Sequence, residues 1–223
     1  MPQVVDVEDV VAAPLPVPVE RLREGFLAVT ARYTLGLVRA SGWRLRLGPL
    51  TLLDFGEPRT SPAGVAWPIR GGLLAAGPGG DLEVAWEAGR LRGGVRGYRP
   101  RVPRALYDLT QRPFHRSVTR LVLLQLRGRE PLPGALAEPR ARLAAAALDL
   151  ALCAAVSRRR IRAFPAVWAA YHLVAWSLAG QTVGGALCGV RLRSVDGSRA
   201  TPAQALLRLL AGDRAAGTAL IKS

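Results

Sequence analysis

Two ionisable side chains stand where the sequence offers almost no polar company. Asp149 lies inside residues 143–157 (LAAAALDLALCAAVS), where every other side chain is apolar or small. His172 is the one residue of a second apolar run, residues 163–180, that titrates near neutral pH. A carboxylate and an imidazole in apolar surroundings are costly, so each usually has a partner or a task. Arg142 precedes the first run, and Arg158, Arg159 and Arg160 close it. Folding the runs into an antiparallel hairpin about Arg160 puts Asp149, 11 residues before it, near the depth of His172, 12 after it. The chemistry open to such a pair is a shared proton or hydrogen bond and, in an oligomer, a proton relay. The plainer alternative is a His172 that only bonds a backbone carbonyl, since most buried polar groups are simply satisfied.

These groups need helices to hold them. Arg142 and Asp149 are seven residues apart, so they fall on one helical face about 10 Å apart along the axis. Cys153 continues that stripe, and small Ala145 and Ala146 between them would let another helix approach closely. Trp168, His172 and Trp176 recur every four residues and share a face of the second helix. As membrane spans the two runs are marginal. Fifteen residues reach about 22 Å and the 18-residue run about 27 Å, against a hydrocarbon core of about 30 Å. Four Leu favour insertion of the first run by about 2 kcal/mol, while a central Asp opposes it by about 3 kcal/mol. Length and insertion energy therefore leave two readings, a buried soluble hairpin and a membrane hairpin.

The order of motifs favours the second. Arg142 and Asp149 in the first run, then a second run, then Gly180-Gln181-Thr182-Val183-Gly184, Gly189-Val190-Arg191-Leu192 and Asp196-Gly197, resembles the RDD family of membrane proteins. The family is named for an Arg at the start of its first transmembrane helix and two aspartates, the first within that helix. Arg142 and Asp149 match these, and Asp196 is the best-placed candidate for the third position. The resemblance covers roughly residues 138–211 and implies membrane location, with Arg142, Asp149, His172, Gly180, Gln181, Thr182, Gly184 and Asp196 as the family-motif and intramembrane polar residues. Two departures stand out. The Lys usual after the second Gly is here Gly185, and a further hydrophobic segment near the C-terminus is not evident. The family's molecular function is largely undefined, so the resemblance implies place more than mechanism.

The rest of the chain reads as a different kind of domain. Residues 1–19, acidic at first and with Pro14, Pro16 and Pro18, are expected to be a flexible or extended tail. Residues 20–38 show helical spacing of Leu22, Phe26, Val29, Tyr33 and Leu37. From residue 42 to 102 the period changes to two, with turn signals at Gly48-Pro49, Gly71-Gly72, Gly77–Gly80 and Ala88-Gly89. Residues 105–126 read as one or two helices interrupted near Pro113. The expected fold class is α+β: a small antiparallel sheet with packing helices over residues 20–127, a linker at 128–138, and a helical, membrane-embedded hairpin region over 139–223.

Charge and composition narrow the function classes. The chain has 31 basic and 16 acidic residues, and all but one of the basic residues are Arg. Residues 1–137 carry 19 basic and 12 acidic residues and residues 138–223 carry 12 and 4, so the shorter, more apolar part holds the larger excess, +8 against +7. That is the balance of membrane segments with basic flanks. The Arg residues are scattered instead of forming one face, so nucleic acid is not an expected partner. His115 has no nucleophile or paired carboxylate near it in a catalytic pattern, and no phosphate loop, metal-spaced cluster or dinucleotide fingerprint occurs. No enzyme activity and no cofactor are expected. The sequence reading is a multi-pass protein of the cell membrane with both termini cytoplasmic. Its partners are the lipid bilayer and, in a homo-oligomer, further copies of itself. Its N-terminal domain would act as a binding module for an apolar ligand, a lipid or a partner protein. The alternatives are a small oligomeric ion or proton transporter subunit and a soluble basic domain that binds nucleic acid.

Overall fold

The computed structural model describes residues 4–34, 36–129 and 134–223. The chain forms two compact units, Met1–Gly128 and Arg129–Ser223. Pro131 and Pro133 of the expected linker lie outside the described residues.

The first unit is an antiparallel sheet with helices against it. Its elements are β1 (Val5–Ala12), α1 (Val19–Tyr33), β2 (Val38–Ser41), β3 (Arg44–Leu47), β4 (Leu50–Phe55), β5 (Arg59–Ser61), β6 (Gly64–Gly71), β7 (Asp81–Glu87) and β8 (Arg90–Tyr98). A short α2 (Arg104–Leu106), a π-helical turn (Tyr107–Gln111) and α3 (Arg112–Arg127) complete it. The strand order is β1-β8-β7-β6-β4-β3-β2, with β5 paired to β6. With eight strands, the sheet is larger than expected. Two additions are β5, a short strand beside β6, and β2, which begins where residues 34–38 were expected to continue α1. The third is β1.

That third addition corrects the expectation of a flexible tail over residues 1–19. Val5, Val7 and Val11 are buried, and β1 pairs antiparallel with β8 from Val5↔Tyr98 to Ala12↔Arg90. The stretch VDVEDVVA largely alternates Val with acidic residues, which is the signal of a half-buried strand. The Pro residues begin only after β1 ends.

The core of this unit lies between sheet and helices. Trp67 on β6 is fully buried and tilts against Phe26 of α1 at 5.9 Å between ring centroids. Leu22, Leu91, Val122 and Leu123 are buried around it. Trp86 donates its indole N–H to Ala13 O at 2.8 Å, and Trp43 lies under the Arg23 guanidinium at 5.9 Å. Residues 104–127 run as one continuous helical stretch, and the irregularity expected near Pro113 is the π-helical turn Tyr107–Gln111, which gives way to α3 directly before that proline.

The second unit contains α4 (Pro139–Ser157), a 3-10 turn (Ile161–Ala163), α5 (Phe164–Leu178), α6 (Val183–Leu187), β9 (Val190–Ser194), α7 (Pro202–Ala216) and β10 (Thr218–Lys222). It is not purely helical. Strands β9 and β10 pair antiparallel from Thr218↔Ser194 to Lys222↔Val190. VRLRS alternates in burial, and TALIK does so from Ala219 onward. Residues 134–138, expected to be linker, belong to this unit. Ala137 N–H donates to Leu220 O at 3.0 Å and Lys222 N–H to Ala135 O at 2.9 Å, using the free edge of β10. Gln204, fully buried in α7, ties the unit together. Its side chain closes a capping box with Thr201, and its Nε2 donates to Ser194 Oγ at 3.2 Å and Ala216 O at 3.0 Å. The two helices expected in the membrane are α4 and α5. Among the described residues no helix is long and apolar enough to cross a membrane.

His115 of α3 offers a test of the first unit. Its Nδ1 lies 3.2 Å from the Tyr107 hydroxyl. Burial drives its pKa down from 6.5 to about 4. Between these values an unfolded chain binds a proton at this site that the folded chain refuses, so stability falls as pH drops from 6.5 toward about 4. In denaturant titrations across this window, His115→Gln is expected to flatten the decline; an unchanged slope contradicts the assignment.

Candidate functional site

The site is built on one stripe of α4. Ala145, Asp149, Cys153 and Ser157 are its buried residues, four apart, so all face inward. At its centre is Asp149, which is 3% exposed.

Asp149 Oδ1 accepts two hydrogen bonds. Tyr171 Oη donates at 2.6 Å and the backbone N–H of Gly184 at 2.9 Å. Gly184 belongs to α6, a helix of only five residues. The first N–H groups of any helix have no acceptor within it. Here the first three each find one: Val183 N–H donates to Tyr171 Oη at 2.8 Å, Gly184 N–H to Asp149, and Gly185 N–H to Thr182 Oγ1 at 3.0 Å. The Asp149 charge sits at the positive end of this turn, where an anion is favoured. Thr182 is a conventional N-cap, whereas Asp149 and Tyr171 cap from two other helices.

The motif residues follow from this contact. A Cβ on Gly184 would lie 2.2 Å from Ala145 O and 2.9 Å from Asp149 Oδ1, so only glycine lets α6 touch the α4 backbone. A Cβ on Gly185, where a Lys is usual in the family, would stand 2.7 Å from Val190 O. Gly180 ends α5 with φ at +71°, a conformation other residues resist, and its carbonyl accepts from Leu192 N–H at 2.7 Å. Gln181 Oε1 accepts from Arg191 Nε at 3.3 Å. Arg142 Nε donates to Ala137 O at 2.7 Å. Asp196 lies apart from this group: its Oδ1 accepts from Ser198 Oγ at 2.6 Å and from Ser198 N–H at 3.2 Å, closing a local turn between β9 and α7.

His172 faces the carboxylate without bonding it. Its Nδ1 donates to Trp168 O at 2.9 Å, which leaves Nε2 for Asp149 Oδ2 at 3.9 Å. That is ion-pair distance, beyond a hydrogen bond. Trp168 and Trp176 flank the imidazole at 4.0 and 4.8 Å between centroids. Sequence reasoning passed over the residue that does bond Asp149. Counting from Arg160, Asp149 is 11 residues before and Tyr171 is 11 after, so the hairpin register pointed to Tyr171.

A cavity of about 210 Å³ opens beside this group, lined among others by Arg142, Asp149, Trp168, His172, Trp176 and Arg208. The Arg208 guanidinium stacks over Trp176 at 5.1 Å, pairs with Asp213, and donates to Thr218 Oγ1 at 3.3 Å. Burial lowers its pKa from the ordinary value, Asp213 opposes that shift, and the nearby Arg142 charge adds to it. The first unit holds a separate cavity of about 120 Å³, with Phe26, Leu53, Phe55, Leu82 and Val95 among its walls and His115 as its one titratable group. Among the described residues no group of three or more His, Cys, Asp or Glu is placed to hold a metal ion.

The Asp149 contact is testable by double-mutant cycles in denaturant titrations. Asp149→Ala leaves a buried N–H unpaired and is expected to cost about 1–3 kcal/mol. Coupling of Asp149→Ala with Tyr171→Phe is expected to be about 1 kcal/mol and to exceed its coupling with His172→Ala. Stronger coupling to His172 reverses the ranking of the two contacts. Gly184→Ala, which forces α6 off α4, is expected to destabilise by about 1–3 kcal/mol as overpacking does.

No curated protein and no solved structure matches the chain. The family model described as "RDD family" matches residues 161–216. That stretch runs from the 3-10 turn through α5, the glycine motif, α6 and β9 to the end of α7, and Arg142 and Asp149 lie just before it. Over residues 161–216 the C-terminal part of this chain is similar to the RDD family.

Proposed function

We propose that the protein works at a membrane, with the α4–α5 pair bedded in lipid and the first unit serving as a binding module. One observation carries this reading: the polarity of the two helices is inverted. The buried residues of α4 are Ala145, Asp149, Cys153 and Ser157, and the one buried residue of α5 is His172. The exposed residues include Leu143, Leu148, Leu150, Leu152, Val156, Val174 and Leu178. A helix that turns its polar groups inward and its Leu and Val outward needs an apolar surrounding. An apolar groove along Leu152, Val156, Val167, Ala170 and Val174 continues that surface between the helices. Similarity of the matched segment to the RDD family supports the same location.

The Arg positions suit helices that lie along the membrane surface. Arg140 stands at one end of α4 and Arg158, Arg159 and Arg160 just past the other, where long cationic side chains reach phosphate headgroups. At 19 and 15 residues, the helices reach about 28 and 22 Å, and lying in the interface asks neither to cross about 30 Å of hydrocarbon. The neutral, apolar cavity of the first unit suits a small apolar ligand or acyl segment.

Membrane fractionation tests the location. The full chain is expected to stay in the membrane pellet through high salt and an alkaline carbonate wash and to leave only with detergent. A Leu150→Glu, Val174→Glu double variant is expected to shift toward the soluble fraction. Release of the unaltered protein by carbonate sinks the reading.

A further inference from the structure

We propose that the cavity beside Asp149 is a binding site for a phosphate-type oxyanion, with the guanidiniums of Arg142 and Arg208 as its donors. This goes beyond membrane association, which the apolar helix faces carry without any specific ligand.

What points to a ligand is a guanidinium without an ion-pair partner in an enclosed space. Arg142, Arg208 and Asp149 are the charged residues lining the cavity. Arg208 has its own counter-ion in Asp213, and its side chain is only 11% exposed. Asp149 is held by the Tyr171 hydroxyl and the Gly184 amide on Oδ1, with its Oδ2 turned toward His172 at 3.9 Å, and it forms no ion pair with Arg142. Arg142 is different. Its Nε is held by Ala137 O, and among the described residues no carboxylate stands within ion-pair distance of it. The nearest candidate by sequence, Glu138, lies 3.6 Å from Lys222. A partly buried guanidinium facing a cavity without a counter-ion lacks the partner that would offset its desolvation.

The geometry of the missing partner follows from the donors. With Nε of Arg142 held by Ala137 O, its two Nη groups remain as donors of a residue that lines the cavity, and such a pair can take two oxygens of one oxyanion. Arg208 is braced by Trp176 beneath it and by Thr218 at its side, so it is ordered before any ligand arrives. Two guanidiniums on one cavity repel each other, and an anion between them removes that repulsion. Phosphate reaches such a site from two sources, as the free ion or as the headgroup of an anionic lipid.

The test uses the full chain in a non-ionic detergent, titrated calorimetrically with inorganic phosphate in one arm and soluble dihexanoyl phosphatidic acid in the other. Chloride keeps ionic strength constant. One saturable site per chain is expected for at least one of the two ligands. Binding in both arms assigns the site to the free oxyanion, and binding in the lipid arm alone assigns it to a headgroup. Arg142→Gln is expected to weaken binding by about tenfold or more, the loss of one charge-assisted pair. Arg142→Lys keeps the charge but loses the fork, so a smaller loss is expected. A triple variant with Arg158, Arg159 and Arg160 changed to Gln is expected to bind as the unaltered protein does. Absence of saturable binding in both arms overturns the proposal, as does a loop variant weakened as much as Arg142→Gln. Should Arg142→Gln fail to fold, the Lys variant decides: an unchanged Kd overturns the assignment.

Discussion

The second unit depends on how one carboxylate meets one helix end. Asp149 accepts the Gly184 N–H and the Tyr171 hydroxyl on the same oxygen. Tyr171 in turn accepts Val183 N–H, so α4 and α5 together supply what the first turn of α6 lacks. Without these acceptors α6 would carry bare donors into a buried place. With them, α6 lies against the α4 backbone closely enough that Gly184 has no room for a side chain. That position carries on to Gly185, which clears Val190 O at the start of β9, and β9 pairs with β10. The buried charge is therefore a joint between elements, and its apolar surroundings keep water from competing for its bonds.

Polarity is arranged about that joint in the opposite sense to a water-soluble bundle. The hydrogen-bonded groups point in, and most of the Leu and Val of α4 and α5 point out. The first unit follows the ordinary rule, with Trp67, Leu91 and Val122 inside and Arg44, Arg59 and Arg96 in exposed ion pairs. One chain thus carries two opposite arrangements of polarity, one in each unit.

The sequence disclosed the parts of this that rest on period and composition. Strands β3, β4, β6, β7 and β8 follow from alternation, and α4 and α5 from their apolar runs. The inward stripe of Asp149 and Cys153 follows from helical spacing. β1 was obscured by its neighbours, because the Pro-rich stretch after it masked the alternation of Val5, Val7 and Val11. β9 and β10 were hidden by a family expectation of helices. The glycine motif was visible as a motif but not as a structure, since nothing local says that Gly184 approaches a helix 35 residues earlier. The partner of Asp149 was misread for a related reason. His172 attracts attention by its charge, while Tyr171 does its work through a hydroxyl that composition treats as ordinary.

The cap on α6 also orders events in time. A helix of five residues does not persist alone, because nucleation costs more than so few bonds return. Two of its three N-terminal acceptors come from α4 and α5, so α6 can form only after that hairpin has closed. Closure of that hairpin is therefore a condition for the turn, and the pieces that follow, β9 against α6 and β10 against β9, inherit it.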